Sequence, residues 1–254
     1  MEVPDGTIEV ISTFVKEFVN GRDVILGISG GIDSTMVGYF LTKNIPREKI
    51  HLYSLPYKNE DQDVPKVEEF LGIKIERIFI DDFVKPFTNL VSDKKSLGNA
   101  MARIRMVILY SMANKYNGLV AGTSNKSEIL TGYFTKFGDG ASDFQPIGDL
   151  YKTQVYELAR KLNFPEWILN KKPTANLWEG QTDEDELGIK YSDLDRILQC
   201  IEFFKSKDEC QVKTGFDMKL INRVYEMVEN SKHKRIILYI PKINFRSVGT
   251  DWLE

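Results

Sequence analysis

A chain of 254 residues with 42% hydrophobic and 28% charged residues, 18 Gly and 9 Pro has the make-up of a folded globular protein, which excludes the collagen-like, mucin-like and disordered classes. Its length suits one large α/β domain, and with no linker, repeat or low-complexity tract to divide it we read a single domain over 1–254. Thirty-four Lys and Arg against 37 Asp and Glu leave a net charge of −3, so the chain lacks the positive field that favours a nucleic-acid partner.

After Pro4-Asp5-Gly6, the apolar residues Ile8, Ile11, Phe14, Val15, Phe18 and Val19 recur near a 3.6-residue period, which predicts an amphipathic helix stopped by Gly21. Asp23 to Ile28 is short and almost wholly apolar, the pattern of a buried parallel strand, and it runs into Ser29-Gly30-Gly31. A helix follows from Thr35. His51 to Leu55 and Lys74 to Ile80 read as strands with a helix over 62–71 between them, a βαβαβ rhythm. Helix formers fill Gly98 to Tyr116, and Gly118 to Thr123 is a fourth buried strand ending in a small-residue turn. The fold class is therefore α/β with a parallel sheet. Gly132 to Gly148, with Gly138 and Gly140 among polar residues, reads as a structured loop of the kind that carries function. Lys152 to Leu162 returns to helix, Lys171 to Gly188 reads as a second long loop with an acidic run, and 191–205 and 217–230 read as amphipathic helices. Ile236 to Ile240 is strand or tail.

Cys200 and Cys210 are the only cysteines and lack CxxC spacing or companion histidines, so they read as reduced thiols. The N-terminus has no basic-then-apolar organisation, and no stretch reaches the roughly 18 apolar residues of a membrane helix. These features point to a cytoplasmic protein with no membrane partner. His51 and His233 are the only histidines and fit no metal-binding spacing, so zinc is not expected.

The sharpest local signal is Ser29-Gly30-Gly31-Ile32-Asp33-Ser34-Thr35, set between a buried strand and a helix N-terminus. Small residues let backbone N–H groups approach an anion and the helix end adds partial positive charge, so the turn suits phosphate oxygens. Glycine also serves many βα turns that bind nothing. The lysine of a Walker loop is missing, which disfavours chemistry at a γ-phosphate. The SGGIDS pattern resembles the loop of the ATP pyrophosphatases, which cleave ATP between the α and β phosphates. That resemblance implies AMP chemistry, with Asp33 as a first carboxylate for Mg²⁺, although its position alone also allows a plain helix cap.

Further along, Gly98-Asn99-Ala100-Met101-Ala102-Arg103-Ile104-Arg105-Met106, then GTSNKSE from Gly122 and GYFTKFGDG from Gly132, resemble successive motifs of the NAD synthetases. Pro173-Thr174-Ala175 and QTDEDELG from Gln181 continue the series, which runs in order from the glycine turn to the pair His233-Lys234. The resemblance implies a three-layer αβα fold with a mostly parallel, doubly wound, Rossmann-like sheet of the adenine nucleotide alpha-hydrolase type. Larger, glutamine-dependent members carry an extra nitrilase-like amidase domain for which 254 residues leave no room, so the chain resembles the ammonia-dependent form. Ser124-Asn125 stand where bacterial members often have an acidic residue and a histidine, which suits a compact archaeal-like branch.

The reaction that this resemblance implies is the amidation of deamido-NAD to NAD. The nicotinate carboxylate attacks the α-phosphorus of ATP, pyrophosphate leaves, and ammonia then expels AMP from the acyl-adenylate. No protein nucleophile is needed, so positioning and charge stabilisation dominate. Carried over by motif, Gly27, Ile28, Ser29, Gly30, Gly31, Ile32, Asp33 and Ser34 hold the phosphates of ATP, and Thr123, Lys152 and Thr174 complete its site. Asp33 and Lys152 stand nearest the chemistry. Asp33 and Glu128 are the implied Mg²⁺ ligands, while Arg103, Lys136, Asp143, His233 and Lys234 match positions that bind deamido-NAD.

The residues alone leave plainer roles open. Glu128 suits a helix N-terminus, Lys152 is a possible surface lysine, Arg105 a structural ion-pair partner, and Ser231 to Arg235 a solvated basic helix end. A lysine at a helix start is nevertheless unfavourable unless an anion lies nearby. Tyr133, Phe134 and Phe137 read as anchors of their loop rather than ligand contacts. Homodimers with the dinucleotide near the boundary are a family property, which makes the helices at 8–19 and 99–116 the candidate dimer face. Two rival readings share the glycine turn: a tRNA-modifying adenylating enzyme, disfavoured by the net charge of −3, and a non-catalytic ATP-binding sensor, disfavoured by Asp33 and Glu128.

Overall fold

A computed structural model describes residues 1–174, 182–236, 239–243 and 245. In chain order, α1 (Thr7–Val19) leads to β1 (Val24–Gly27), α2 (Ile32–Asn44), β2 (Ile50–Ser54), α3 (Val64–Leu71) and β3 (Ile75–Arg77). The short α4 (Asp81–Val84) and the long α5 (Lys94–Tyr116) then return the chain to β4 (Leu119–Ala121). Helices fill the rest: α6 (Lys126–Thr131), α7 (Lys152–Lys161), α8 (Glu166–Leu169), α9 (Asp183–Leu187), α10 (Tyr191–Glu202), α11 (Lys207–Thr214), α12 (Met218–Asn230) and α13 (Lys232–Arg235).

Among the described residues the four strands form one parallel sheet in the order β3-β2-β1-β4. Successive side chains of a strand point to opposite faces, so a strand covered on both sides must be apolar throughout. β1 obeys this rule: Val24 and Leu26 join the core beneath α1, α2, α3 and α7, while Ile25 joins Tyr53, Ile80, Met101 and Val120 beneath α5. The result is an αβα sandwich with a doubly wound sheet. The chain moves outward from β1 to β2 and β3, then crosses back to β4 on the other side, and the crevice of such a sheet opens where the order reverses. That places the ends of β1 and β4, and the turns that follow them, side by side. A third core, built on Leu194, Ile197, Leu198, Cys200, Cys210, Ile221 and Val224, joins α10, α11 and α12. None of the helices among the described residues is long and apolar enough to cross a membrane.

The element expectations differ from the structure in several places. α5 starts at Lys94 because Asp93 accepts from the Ser96 N–H as an N-cap. Part of the expected second loop is helix α9, whose cap Thr182 accepts from the Asp185 N–H and whose acidic first turn suits the helix dipole. α11 fills the gap between the two expected helices, with Ser206 and Glu209 forming a capping box at its start. Of the segment 236–240, Ile237 and Leu238 lie outside the described residues and the others belong to no named element.

Candidate active site

The glycine turn leaves β1 with the Ile28 N–H still bonded to the Tyr53 carbonyl at 2.7 Å. Gly30 has φ of +79°, and a Cβ there would meet Asp61 Oδ1 at 2.8 Å, so both backbone and space require glycine. Ser34 and Thr35 turn their hydroxyls inward, donating to the Gly31 carbonyl at 3.2 and 2.8 Å. The first turn of α2 has no side-chain cap, which leaves its N–H groups for an incoming anion. Lys171 latches the turn from outside: its Nζ donates to the Gly30 carbonyl at 3.1 Å and lies 2.7 Å from Asp61 and 2.9 Å from Asp63. Neither Lys171 nor Asp61 stands out in the sequence, because their role depends on two loops meeting.

The second turn, after β4, supplies the acids. Asn125 caps α6 by accepting from the Glu128 N–H at 3.1 Å, and Glu128 returns the bond by accepting from the Asn125 N–H at 3.2 Å. Asn125 Nδ2 also donates to Asp33 Oδ1 at 3.1 Å, tying the start of α6 to the start of α2. Lys152, the first residue of α7, is only 2% exposed, with Nζ 2.5 Å from Asp33 Oδ2 and 3.5 Å from Glu128 Oε1. The unfavourable lysine at a helix start thus has two carboxyl groups beside it. Burial pushes the Glu128 carboxyl up to about 8; Lys152 opposes the rise, and the charges of Asp33 and Asp183 add to it. Burial by itself would lower Lys152, but Asp33 and Glu128 overcome that effect and hold the ammonium above the usual lysine range.

A third carboxylate reaches this cluster from α9. Asp183 is buried, accepts from the Tyr133 hydroxyl at 3.2 Å and the Tyr191 hydroxyl at 3.3 Å, and has its pKa raised by burial against the opposing charge of Lys152. Tyr133 was expected only to anchor its loop; it packs on the helical core and also carries its hydroxyl to Asp183 and Glu186. An acidic residue just after a threonine cap looks like ordinary helix-start chemistry, so the sequence does not single out Asp183.

The residues expected to hold deamido-NAD divide. Lys136 Nζ donates to the His233 and Ile236 carbonyls at 2.5 and 3.2 Å, and Lys234 Nζ donates to the Gly132 and Phe134 carbonyls at 2.6 and 2.7 Å. Burial lowers the Lys234 ammonium; Asp139 opposes this and the charges of Lys95 and Arg103 reinforce it. Arg103, Lys136, His233 and Lys234 therefore gather where the loop after α6 meets α13. Asp143 is engaged elsewhere: it accepts from the Val120 N–H at 2.7 Å and the Tyr110 hydroxyl at 3.4 Å, closing the open edge of β4. Arg105 donates to the Leu55 carbonyl at 2.8 Å instead of making an ion pair. Thr123 lies two residues past the end of β4 and Thr174 follows Pro173, while Ala175 and Gln181 of the quoted motifs lie outside the described residues.

Asp33 and Glu128 offer the hard oxygen donors that Mg²⁺ takes, converging on one point beside the phosphate turn. Among the described residues no three His, Cys, Asp or Glu side chains are arranged to hold a metal by themselves, so a cation here would rest on these two carboxylates and on oxygens from other sources.

Comparison with known proteins matches the chain to a known family. The NAD synthase family model matches residues 7–237. The NH3-dependent NAD+ synthetase of Pyrococcus horikoshii is 47% identical, covering 96% of this chain and 97% of that protein. That of Methanocaldococcus jannaschii is 43% identical, covering 95% and 98%. Among solved structures, an NMN synthetase from Francisella tularensis superposes with a TM-score of 0.82 at 34% identity, covering 95% of this chain and 100% of that one. An NH3-dependent NAD synthetase from Campylobacter jejuni superposes with a TM-score of 0.78 at 31% identity, covering 93% and 97%. With its glycine turn, its two acids and its buried lysine in one crevice, the chain belongs to the NAD synthase family.

Proposed function

We infer that this chain catalyses the ATP-driven amidation of deamido-NAD by ammonia, giving NAD, AMP and pyrophosphate. The observation that carries the reading is the meeting of Asp33, Glu128 and Lys152 beside the glycine turn, in a chain similar over almost its whole length to NH3-dependent NAD+ synthetases. Gly27 to Ser34 receive the pyrophosphate portion of ATP on backbone N–H groups, with Thr123 and Thr174 as further contacts. Asp33 and Glu128 would hold Mg²⁺, which would offset phosphate charge. Lys152 turns from its carboxylate partners toward the α-phosphoryl oxygens, where negative charge builds as the new carboxylate–phosphorus bond forms and pyrophosphate departs. Arg103, Lys136, His233 and Lys234 orient the dinucleotide, and Asp143 offers its remaining acceptor capacity to a ribose hydroxyl. Ammonia then attacks the activated carbonyl and AMP leaves.

Two further features belong to the same reading. Val10 is 68% exposed, Phe14 39% and Phe18 37% on α1, an apolar face suited to a homodimer with the dinucleotide near its boundary, and Val107 is 57% exposed on α5, which covers the other side of the sheet. We place the reaction in the cytoplasm, in keeping with two free thiols. The comparisons do not favour the RNA-modifying or sensor alternatives.

The likeness to an NMN synthetase favours one second reading, a deamidated mononucleotide as substrate. Purified protein supplied with ATP, Mg²⁺, ammonium and either nucleotide separates the two. We expect equimolar NAD, AMP and pyrophosphate, with kcat/KM for deamido-NAD above that for nicotinate mononucleotide. The reverse order selects the mononucleotide, and ADP in place of AMP overturns both.

A further inference from the structure

Asp195 lies in the middle of α10 and is fully buried, in a stretch whose other inward residues, Leu194, Ile197 and Leu198, are apolar. Packing alone would be met by another apolar residue there, since a buried carboxylate is costly unless its oxygens are satisfied. They are satisfied by two helix starts at once. Ser127 Oγ donates to Asp195 Oδ1 at 2.5 Å, while the Thr153 N–H and hydroxyl donate to Oδ2 at 2.9 and 2.7 Å. Ser127 Oγ in turn accepts from the Lys152 N–H at 2.9 Å, which leaves its own proton free for Asp195. Ser127 is next to Glu128 in the chain, and Thr153 is next to Lys152.

We propose that Asp195 is a positioning residue that clamps the starts of α6 and α7 together and so fixes Glu128 relative to Lys152. It touches no substrate. The two side chains it serves sit on helices from different parts of the chain, with their Oε1 and Nζ atoms 3.5 Å apart, and the Ser127, Thr153 and Lys152 contacts cross-link those helices at the first turn. Burial raises the Asp195 carboxyl and the bonds from Ser127 and Thr153 pull it back, in keeping with a group that accepts from both sides. The inference rests on the reading that Glu128 and Lys152 serve adenylation. A loss of alignment of about 1 Å between groups of this kind lowers a rate by about a hundredfold.

The test compares the full chain with Asp195→Ala, Ser127→Ala, Asp195→Asn, Lys152→Ala and, as a packing control, Leu198→Ala. Each is assayed for melting temperature and for substrate-dependent pyrophosphate release. Asp195→Ala is expected to lower kcat about 10- to 100-fold with the ATP KM changed less than about threefold, whereas Leu198→Ala, with at least as large a loss of melting temperature, keeps kcat within about twofold. Asp195→Asn, which keeps an acceptor for Thr153, is expected to recover part of the loss. Wild-type kcat in Asp195→Ala, or a fall no greater than that of Leu198→Ala, overturns the proposal. Should Asp195→Ala fail to fold, Ser127→Ala and Asp195→Asn decide it: reduced kcat in both supports the clamp, and unchanged kcat in both overturns it. Full pyrophosphate release by Lys152→Ala would instead overturn the reading of the site itself, while an inactive Lys152→Ala beside a fully active Asp195→Ala sinks the clamp alone.

Discussion

Glu128→Gln sets stability and activity against each other. In the free protein the Glu128 carboxyl is raised from its ordinary value of 4.5 to about 8, chiefly by burial. An acid with a raised folded pKa lowers stability only where the unfolded chain is ionised and the folded one resists it. The penalty is therefore absent below pH 4.5, grows as the pH rises toward 8 and is constant above that. A shift of this size corresponds to roughly 5 kcal/mol at most, and water reaching the partly open carboxylate reduces the expected effect to about 1–3 kcal/mol. Glutamine keeps the size of the side chain and an oxygen for the Asn125 N–H but does not ionise. Thermal melts from pH 5 to 8.5 should show Glu128→Gln more stable than the native chain by about 3–9 °C at pH 8, with the gap closing toward pH 5. The same variant should lose most Mg²⁺-dependent pyrophosphate release. A variant that is equally or less stable at pH 8, or whose advantage does not depend on pH, would refute this account of the buried carboxylate.

Three further outcomes follow from the same geometry. Asp33→Asn and Lys152→Ala should each lower kcat by at least about a hundredfold, the scale of removing one transition-state stabilising group, with the circular dichroism spectrum unchanged; near-native turnover in either variant removes it from the site. Gly30→Ala forces a Cβ into the left-handed region and against Asp61, so it should destabilise by about 1–2 kcal/mol and weaken ATP binding severalfold, as read by melting and by calorimetric titration. Val10→Glu places a charge on the exposed apolar face of α1 and should halve the mass measured by light scattering while kcat per folded chain shows whether the boundary completes the dinucleotide site; an unchanged mass shows that this face is not the contact.

What could be read from the sequence is what is local in it. The apolar run of β1 followed by glycines and a helix is set by neighbouring residues, so the strand, the turn and the start of α2 could be placed directly. Lys152 was legible through a conflict, a cation at a helix start, which the structure resolves with Asp33 and Glu128. Asp183, Tyr133, Lys171 and Asp195 were not legible, because each draws its meaning from a segment far away in the chain: Asp183 from Tyr133, Lys171 from the turn at Gly30, Asp195 from Ser127 and Thr153. Asp143 shows the reverse case. Its motif implies a ligand contact, yet in the fold the carboxylate also completes the hydrogen bonding of an edge strand, a demand that is invisible until β4 is known to lie at the edge. Helix α9 hid behind charge: acidic residues after a threonine read as loop until the cap is seen.

We propose that the substrate carboxylate attacks the α-phosphorus of ATP in the crevice held by Asp33, Glu128 and Lys152. It is tested most directly with deamido-NAD labelled with ¹⁸O in the nicotinate carboxylate, turned over with ATP, Mg²⁺ and ammonium and analysed by mass spectrometry. Transfer of one ¹⁸O atom to the phosphate of AMP, with unlabelled pyrophosphate, is the predicted result. Label in pyrophosphate or inorganic phosphate, or unlabelled AMP formed together with NAD, contradicts it.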